Sequence, residues 1–86
     1  MNRENLMLLF EQNRPQLKSY VLRLTASVED TEDIVQDTFI KAFSNIQSFK
    51  GESSLKTWIF AIASNLAKDL LKSKKRWAEK DRKSVV

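Results

Sequence analysis

The chain of 86 residues contains no cysteine and no histidine. Without cysteine no disulfide framework can form, and without either residue the usual zinc ligands are missing. A serine in this chain would also lack the imidazole partner that activates it as a nucleophile. We therefore predict that the protein is not an enzyme and that it uses no metal ion and no cofactor.

Turn-forming residues are almost as scarce, since the chain has one glycine, Gly51, and one proline, Pro15. So few turn signals favour a small number of long elements. The hydrophobic fraction of 42% is ordinary for a globular protein and argues against disorder. No apolar run approaches the roughly 18 residues of a membrane span, and no signal peptide opens the chain. We expect a cytoplasmic domain that does not associate with a membrane.

The net charge of +4 is distributed unevenly along the chain. Residues 1–49 carry five basic and seven acidic side chains, a net charge of −2, whereas residues 50–86 carry ten and four, a net charge of +6. This asymmetry indicates two partners of opposite charge, although two solvated surfaces would leave the same pattern.

Apolar residues at helical spacing predict an all-α fold, a compact three-helix domain. The first helix is predicted over residues 3–25 and is expected to be kinked or briefly broken near Pro15. The second starts with Ser27 as N-cap and Asp30 three residues later, a start that resembles a capping box. The third follows Ser53 or Ser54, since either can cap it.

The predicted domain occupies residues 1–76, and residues 77–86 form a basic tail or the start of a linker. Each helix has a stripe of mostly apolar residues that we expect to face the core. These are Leu6, Leu9, Phe10, Asn13, Leu17, Tyr20, Val21 and Leu24; then Val35, Phe39, Ala42 and Ile46 with Phe43 at the edge; then Leu55, Ile59, Ile62, Ala63, Leu66 and Leu70.

The second helix also has a predicted outward surface, the acidic face, which consists of Asp33, Gln36, Asp37, Ile40 and Ser44. Ile40 is the exception in this set because it is apolar and points away from the core. A single exposed isoleucine is common in monomeric proteins. An acidic patch with an apolar centre is equally what a docking surface for a basic helical partner looks like. The sequence leaves both interpretations open.

The third helix has a surface without acidic residues opposite its apolar stripe. This polar stripe consists of Thr57, Ala61, Ser64, Asn65, Lys68 and Lys72. Small side chains let another molecule approach closely, and Asn, Thr, Ser and Lys can donate hydrogen bonds to phosphate oxygens or base edges. The stripe therefore predicts a nucleic-acid contact.

The segment "IQSFKGESSLKTWIF" at residues 46–60 joins the second and third helices. It supplies cations for a sugar-phosphate backbone and aromatic rings for bases, as single-stranded nucleic acid requires. Each residue also has a structural interpretation: Trp58 in the core, Phe49 over the gap between helices, Gly51 at a positive φ, and Lys50 and Lys56 as solvated charges. Their occurrence together within 15 residues favours binding.

The run "DTEDIVQDTFIKAFSNIQSFKGESSLKTWIFAIASNLAKD" resembles the second conserved region of bacterial sigma factors of the extracytoplasmic-function class. The usual run in that family is an acid pair, "DLVQEVFLKAW", an aromatic–basic–glycine loop, "TWLYRIARN" and a basic tail. The resemblance covers about residues 5–80. It implies a three-helix domain that binds core RNA polymerase and recognises the minus-ten promoter element.

The resemblance also implies two sets of site residues. The helix carrying Asp33, Gln36, Asp37, Ile40 and Lys41 would dock on the polymerase clamp coiled coil, and an anti-sigma factor is a further expected partner. The loop would receive a base flipped from the single-stranded non-template strand, and the polar stripe would contact the melting element. The implied DNA-binding residues are Phe49, Lys50, Gly51, Glu52, Ser53, Ser54, Lys56, Thr57, Trp58, Ala61, Ser64, Asn65, Lys68 and Lys72.

The chain departs from the family pattern in two respects. Where the family shows "YRIAR", this chain has "FAIAS", which removes two arginines from the expected DNA side. Lysines farther along the third helix, Lys68, Lys72, Lys74 and Lys75, together with Arg76, are available to compensate. A complete factor also carries a helix-turn-helix domain for the minus-thirty-five element, and these 86 residues show no pattern for one. We therefore expect this sequence to be a fragment.

An alternative hypothesis is a protein-interaction module that is held by a polymerase subunit or an anti-sigma factor. In that case the basic end of the chain would bind polyanions without sequence preference.

Overall fold

The computed structural model describes the backbone of residues 3–51 and 53–85, and the side chains of those residues as far as Lys75. Within these residues the chain forms three α-helices: α1 (Arg3–Thr25), α2 (Val28–Asn45) and α3 (Leu55–Val85). A single turn of 3-10 helix at Ile46–Ser48 follows α2. The predicted all-α three-helix fold is confirmed, and α1 has the predicted bounds.

The three helices pack against one another around one hydrophobic core. Alanines at three core positions, Ala42, Ala63 and Ala67, are completely buried and let the helix backbones approach closely. Phe10 of α1 meets Phe39 of α2 edge to face, with ring centroids 5.0 Å apart. The remaining core residues are Leu6, Leu17, Val21, Ile34, Val35, Ile46, Leu55 and Ile59.

The break predicted near Pro15 is absent, because α1 continues through the proline as one helix. Pro15 cannot donate a hydrogen bond to the carbonyl of Glu11, one turn earlier. Both residues are exposed, so water can hydrogen-bond to the carbonyl that is left without its helical partner. The cost of the proline is therefore too small to interrupt a helix that packs along its other face.

The α1–α2 connection is a tight corner stabilised by hydroxyl groups. Ala26 adopts φ 56, the left-handed region that L-residues rarely occupy. The Ser27 hydroxyl accepts a hydrogen bond from the Asp30 N–H at 3.3 Å, which confirms the predicted N-cap. The Asp30 carboxylate does not complete a capping box; it forms an ion pair with Lys74 of α3.

Five buried positions lay outside the predicted stripes: Thr25, Thr31, Ile34, Thr38 and Ala67. The Thr38 hydroxyl donates to the carbonyl of Ile34 at 2.7 Å, and the hydroxyls of Thr25 and Thr31 lie 3.1 Å apart. A threonine whose hydroxyl is bonded within its own helix can occupy an apolar environment without a large desolvation cost.

Tyr20 and Leu24, which the periodicity placed in the core-facing stripe, lie at its border and are each 36% exposed. Over the described part of the chain, no helix has the length and apolar character needed to span a bilayer.

Candidate functional site

The loop between α2 and α3 begins with the 3-10 turn, which the Phe49 N–H closes by donating to the Ile46 carbonyl at 3.1 Å. Phe49 itself is extended, with φ −70 and ψ 118. Gly51 then takes φ 76, in agreement with the structural interpretation of that residue. A Cβ at Gly51 would meet no atom within 4 Å, so the backbone angle and not a shortage of space requires glycine there.

Of the two serines that were predicted as possible caps, Ser54 is the one that caps α3. Its hydroxyl accepts from the Thr57 N–H at 3.1 Å and donates to the Thr57 hydroxyl at 2.8 Å. The hydroxyl of Ser53 donates to the Ser54 carbonyl at 3.4 Å. These bonds fix where α3 starts and therefore the direction in which Trp58 projects.

Phe49 and Trp58 contact each other, with ring centroids 5.3 Å apart and planes inclined by 45°. Both rings are half-buried and pack against the core. Trp58 is therefore partly a core residue, as its structural interpretation predicted. Their remaining surface lines a hollow of about 180 Å³ together with Ser48, Lys50 and Ser53. We refer to this space as the loop hollow. The core anchors the two rings, and their outer edges stay accessible.

The polar stripe lies on the outer surface of α3, where Thr57, Ala61, Asn65, Lys68 and Lys72 are exposed and Ser64 is half-buried. Asp69, which follows Lys68 and lies one turn after Asn65, borders the stripe and lines a groove against α2. The ion pairs found within the described residues involve Arg14 and Lys74 as the basic partners. The lysines of the stripe and the loop take part in neither of these ion pairs. The stripe and loop thus form a cationic surface with aromatic rings at one end.

Glu52 was also predicted to bind DNA, and it lies outside the described residues. Gly51, Ser53, Ser54 and Lys56 are exposed around the loop hollow or at the start of α3.

The acidic face forms on α2 as predicted. Asp33, Gln36 and Asp37 are exposed, and Lys41 and Ser44 lie on the same exposed surface. Ile40 is 53% exposed and lies between these polar residues. The acidic face is therefore a separate surface from the polar stripe, which is on a different helix.

The structure extends the acidic face in a way that the sequence did not predict. Asp30, Asp33, Asp37 and Asp69 all line the groove between α2 and α3, above Ile34, Leu66 and Leu70. Asp69 lies three residues after Leu66 and so on the same side of α3, a helical spacing that could have revealed its position. Among the described residues, no group of Asp and Glu side chains is arranged as a metal site.

Comparisons with known proteins place the chain in a known family. The Sigma-70 region 2 family model matches residues 9–77. The RNA polymerase sigma factor YlaC of Bacillus subtilis is 37% identical over 62 residues, which cover 72% of this chain and 36% of that protein.

Two further relatives have the same character. The ECF RNA polymerase sigma factor SigG of Mycobacterium tuberculosis is 38% identical over 66 residues, which cover 77% of this chain and 18% of that protein. The ECF RNA polymerase sigma-E factor of Haemophilus influenzae is 48% identical over 50 residues, 58% of this chain and 26% of that protein. The chain thus corresponds to about a third or less of the length of each of these relatives.

Proposed function

The chain belongs to the Sigma-70 region 2 family, and on this premise we propose that it binds core RNA polymerase and recognises the minus-ten promoter element in the cytoplasm. The observation that carries the proposal is the loop hollow, which is lined by Phe49, Trp58 and Lys50 and lies beside a helix surface without acidic residues. We assign this activity to a domain of residues 1–76, with residues 77–86 as a basic extension.

In this proposal the loop hollow receives one base flipped out of the non-template strand. Extrusion of a base from duplex DNA costs a few kcal/mol, and contact with an aromatic ring recovers about 1–3 kcal/mol per base. The gain and the cost nearly cancel. We therefore expect the isolated domain to bind single-stranded DNA in preference to duplex, and to bind promoter DNA well only where the polymerase holds the strands apart.

The polar stripe continues the binding surface along α3. Asn65 can donate and accept hydrogen bonds at a base edge, and Lys68 and Lys72 can pair with phosphates. The exposed methyl group of Ala61 lets the strand approach the helix closely. Lysines carry the positive charge here, so phosphate contacts should act as point charges without the bidentate geometry of arginine.

On α2, the acidic face and Lys41 would dock on the clamp coiled coil of the polymerase. Ile40 would be the apolar centre of that contact, and Asp33 and Asp37 would face basic side chains of the partner. An anti-sigma factor that covered the same surface would compete with the polymerase. Separate surfaces on α2 and α3 allow the domain to hold polymerase and DNA at the same time.

The DNA-binding proposal can be tested with an oligonucleotide selected from a randomised single-stranded library and with a scrambled version of it. We expect the 86-residue chain to prefer the selected sequence in a fluorescence-anisotropy titration. Phe49→Leu keeps an apolar side chain against Trp58 but removes the ring, so it should weaken binding by about 5-fold or more. Asn65→Ala should reduce the preference for the selected sequence.

Equal affinity for the selected and scrambled oligonucleotides, unaffected by both substitutions, would contradict the proposal. Circular dichroism of Phe49→Leu provides the folding control.

The docking proposal can be tested by a pull-down with the isolated clamp coiled coil. We expect Asp37→Arg to abolish capture, because it reverses one charge beside Ile40. Glu4→Arg makes the same reversal on an exposed position of α1 and should leave capture intact. DNA binding by Asp37→Arg should equal that of the unmodified chain. Retained capture by Asp37→Arg would remove the acidic face from the interface.

A further inference from the structure

A second pair of aromatic rings lies on α3, away from the loop hollow. Phe60 of α3 contacts Tyr20 of α1, with ring centroids 5.5 Å apart and planes inclined by 49°. Tyr20 is 36% exposed and Phe60 is half-buried, so this pair also presents part of its surface to solvent. The Lys56 ammonium lies 5.8 Å from the centroid of the Phe60 ring, within the range of a cation–π contact.

This pair and the Phe49–Trp58 pair lie on two different flanks of the polar stripe. Trp58 and Phe60 are two positions apart on α3, which rotates them by about 200° around the helix axis. Trp58 contacts the loop that follows α2, whereas Phe60 contacts α1. The stripe passes between the two aromatic pairs. Lys56, in the first turn of α3, lies near the second pair and directly follows the loop in the sequence.

Beside Tyr20, the surface of α1 has a hollow of about 370 Å³. Its lining residues are Pro15, Gln16, Ser19, Tyr20 and Arg23, and we refer to it as the α1 hollow. It contains an amide, two hydroxyl groups and a guanidinium, all of which can donate hydrogen bonds. Arg23 is exposed and takes part in none of the ion pairs found among the described residues.

We propose that the Tyr20–Phe60 pair and the α1 hollow form a second subsite for the same single strand of DNA, in which one base stacks on Tyr20 and Arg23 pairs with a phosphate. This inference rests on the proposed function, because the strand reaches the second subsite from the loop hollow across the first turns of α3. A helix with its side chains is about 10–12 Å across, a width that about three stacked nucleotide steps of about 3.4 Å cover.

The charge of the surface favours single-stranded DNA over a protein partner. Arg23 lines the α1 hollow and Lys56 lies beside the aromatic pair. No acidic side chain lines the hollow or belongs to the pair. Accessible aromatic rings combined with cations are the standard composition of single-strand binding surfaces. Lys56 also makes the surface continuous with the proposed binding site.

The test compares thymidine homopolymers of about 2 and about 12 nucleotides, since only the longer strand can reach from one subsite to the other. Amide shifts in a ¹⁵N NMR titration of the 86-residue chain report which residues each probe contacts. We expect the longer strand, and not the shorter one, to shift Ser19, Tyr20 and Arg23. In fluorescence anisotropy, Tyr20→Leu should weaken binding of the longer strand by about 5-fold or more.

Charge variants provide a readout that a purely structural role for Tyr20 would not change. Arg23→Gln should lower the slope of log affinity against log salt for the longer strand by about 0.7. Arg3→Gln removes an exposed arginine elsewhere on α1 and should leave that slope unchanged.

Normal binding by Tyr20→Leu and Arg23→Gln, with amide shifts confined to the loop and α3, would overturn the second subsite and leave the proposed function intact. That result would point to a protein partner for the surface. Absence of binding to either homopolymer and to the selected oligonucleotide would overturn both proposals.

Discussion

The salt dependence of DNA binding tests directly whether the four lysines of the loop and polar stripe contact phosphates. Lys50, Lys56, Lys68 and Lys72 are all exposed and belong to none of the ion pairs found in the described part of the chain. Each phosphate that a lysine neutralises on a single strand contributes about 0.7 to the negative slope of log affinity against log salt. Four contacts therefore contribute about 2.8 to that slope.

A contribution of that size corresponds to an affinity loss of about 50-fold between about 50 and about 200 mM salt. Replacement of one of the four lysines by glutamine should reduce the loss to about 20-fold, because three contacts remain. Fluorescence anisotropy with the selected single-stranded oligonucleotide, repeated at several salt concentrations, measures the slope of each variant.

Two matched variants distinguish phosphate contacts from a general attraction by the net charge. Lys74 pairs with Asp30, and Lys41 lies on α2 beside the acidic face, so neither should contact the strand. Lys74→Gln and Lys41→Gln should therefore keep the slope of the unmodified chain. If these variants lowered it as much as Lys68→Gln, a diffuse field would explain the binding and the assignment of contacts would be refuted.

Two predictions concern stability. Ala26→Gly should raise the midpoint of thermal unfolding, because the φ of 56 costs a residue with a Cβ about 1–2 kcal/mol, whereas the greater freedom of unfolded glycine costs about 0.4–1 kcal/mol. A lower midpoint would show that the corner is not strained. Leu17→Ala should reduce the free energy of unfolding in urea by about 2–5 kcal/mol, because Leu17 is 1% exposed in the core. A loss below about 1 kcal/mol would indicate that the helices close around the cavity.

Local sequence signals predicted most of the fold correctly. The 3.6-residue period of Leu6, Phe10, Leu17 and Val21 located α1, and a hydroxyl residue before an acidic turn located the start of α2. A positive φ was one of the two interpretations of Gly51, and the residue has one. These features depend on a few neighbouring residues, so a sequence window contains the information that determines them.

The errors occurred where the position of a residue, exposed or buried in the folded domain, overrides a local preference. A kink or a brief break was expected near Pro15, and the break does not occur because the exposed position of Pro15 makes the missing hydrogen bond inexpensive. Thr31 and Thr38 have polar side chains and so stayed out of the predicted stripe, although a hydrogen bond within α2 makes each of them suitable for the core. Tyr20 follows the apolar period yet remains partly exposed at the border of the core.

The sequence therefore determined that there are three helices, which faces of α2 and α3 are charged, and that an aromatic and cationic loop joins them. Only the tertiary structure decided which residues from different helices meet: Phe49 with Trp58, Tyr20 with Phe60, and Asp69 with the acids of α2. The physical reason is that period and caps act within one helix, whereas contacts between helices depend on how each helix is rotated and shifted when the shared core is packed.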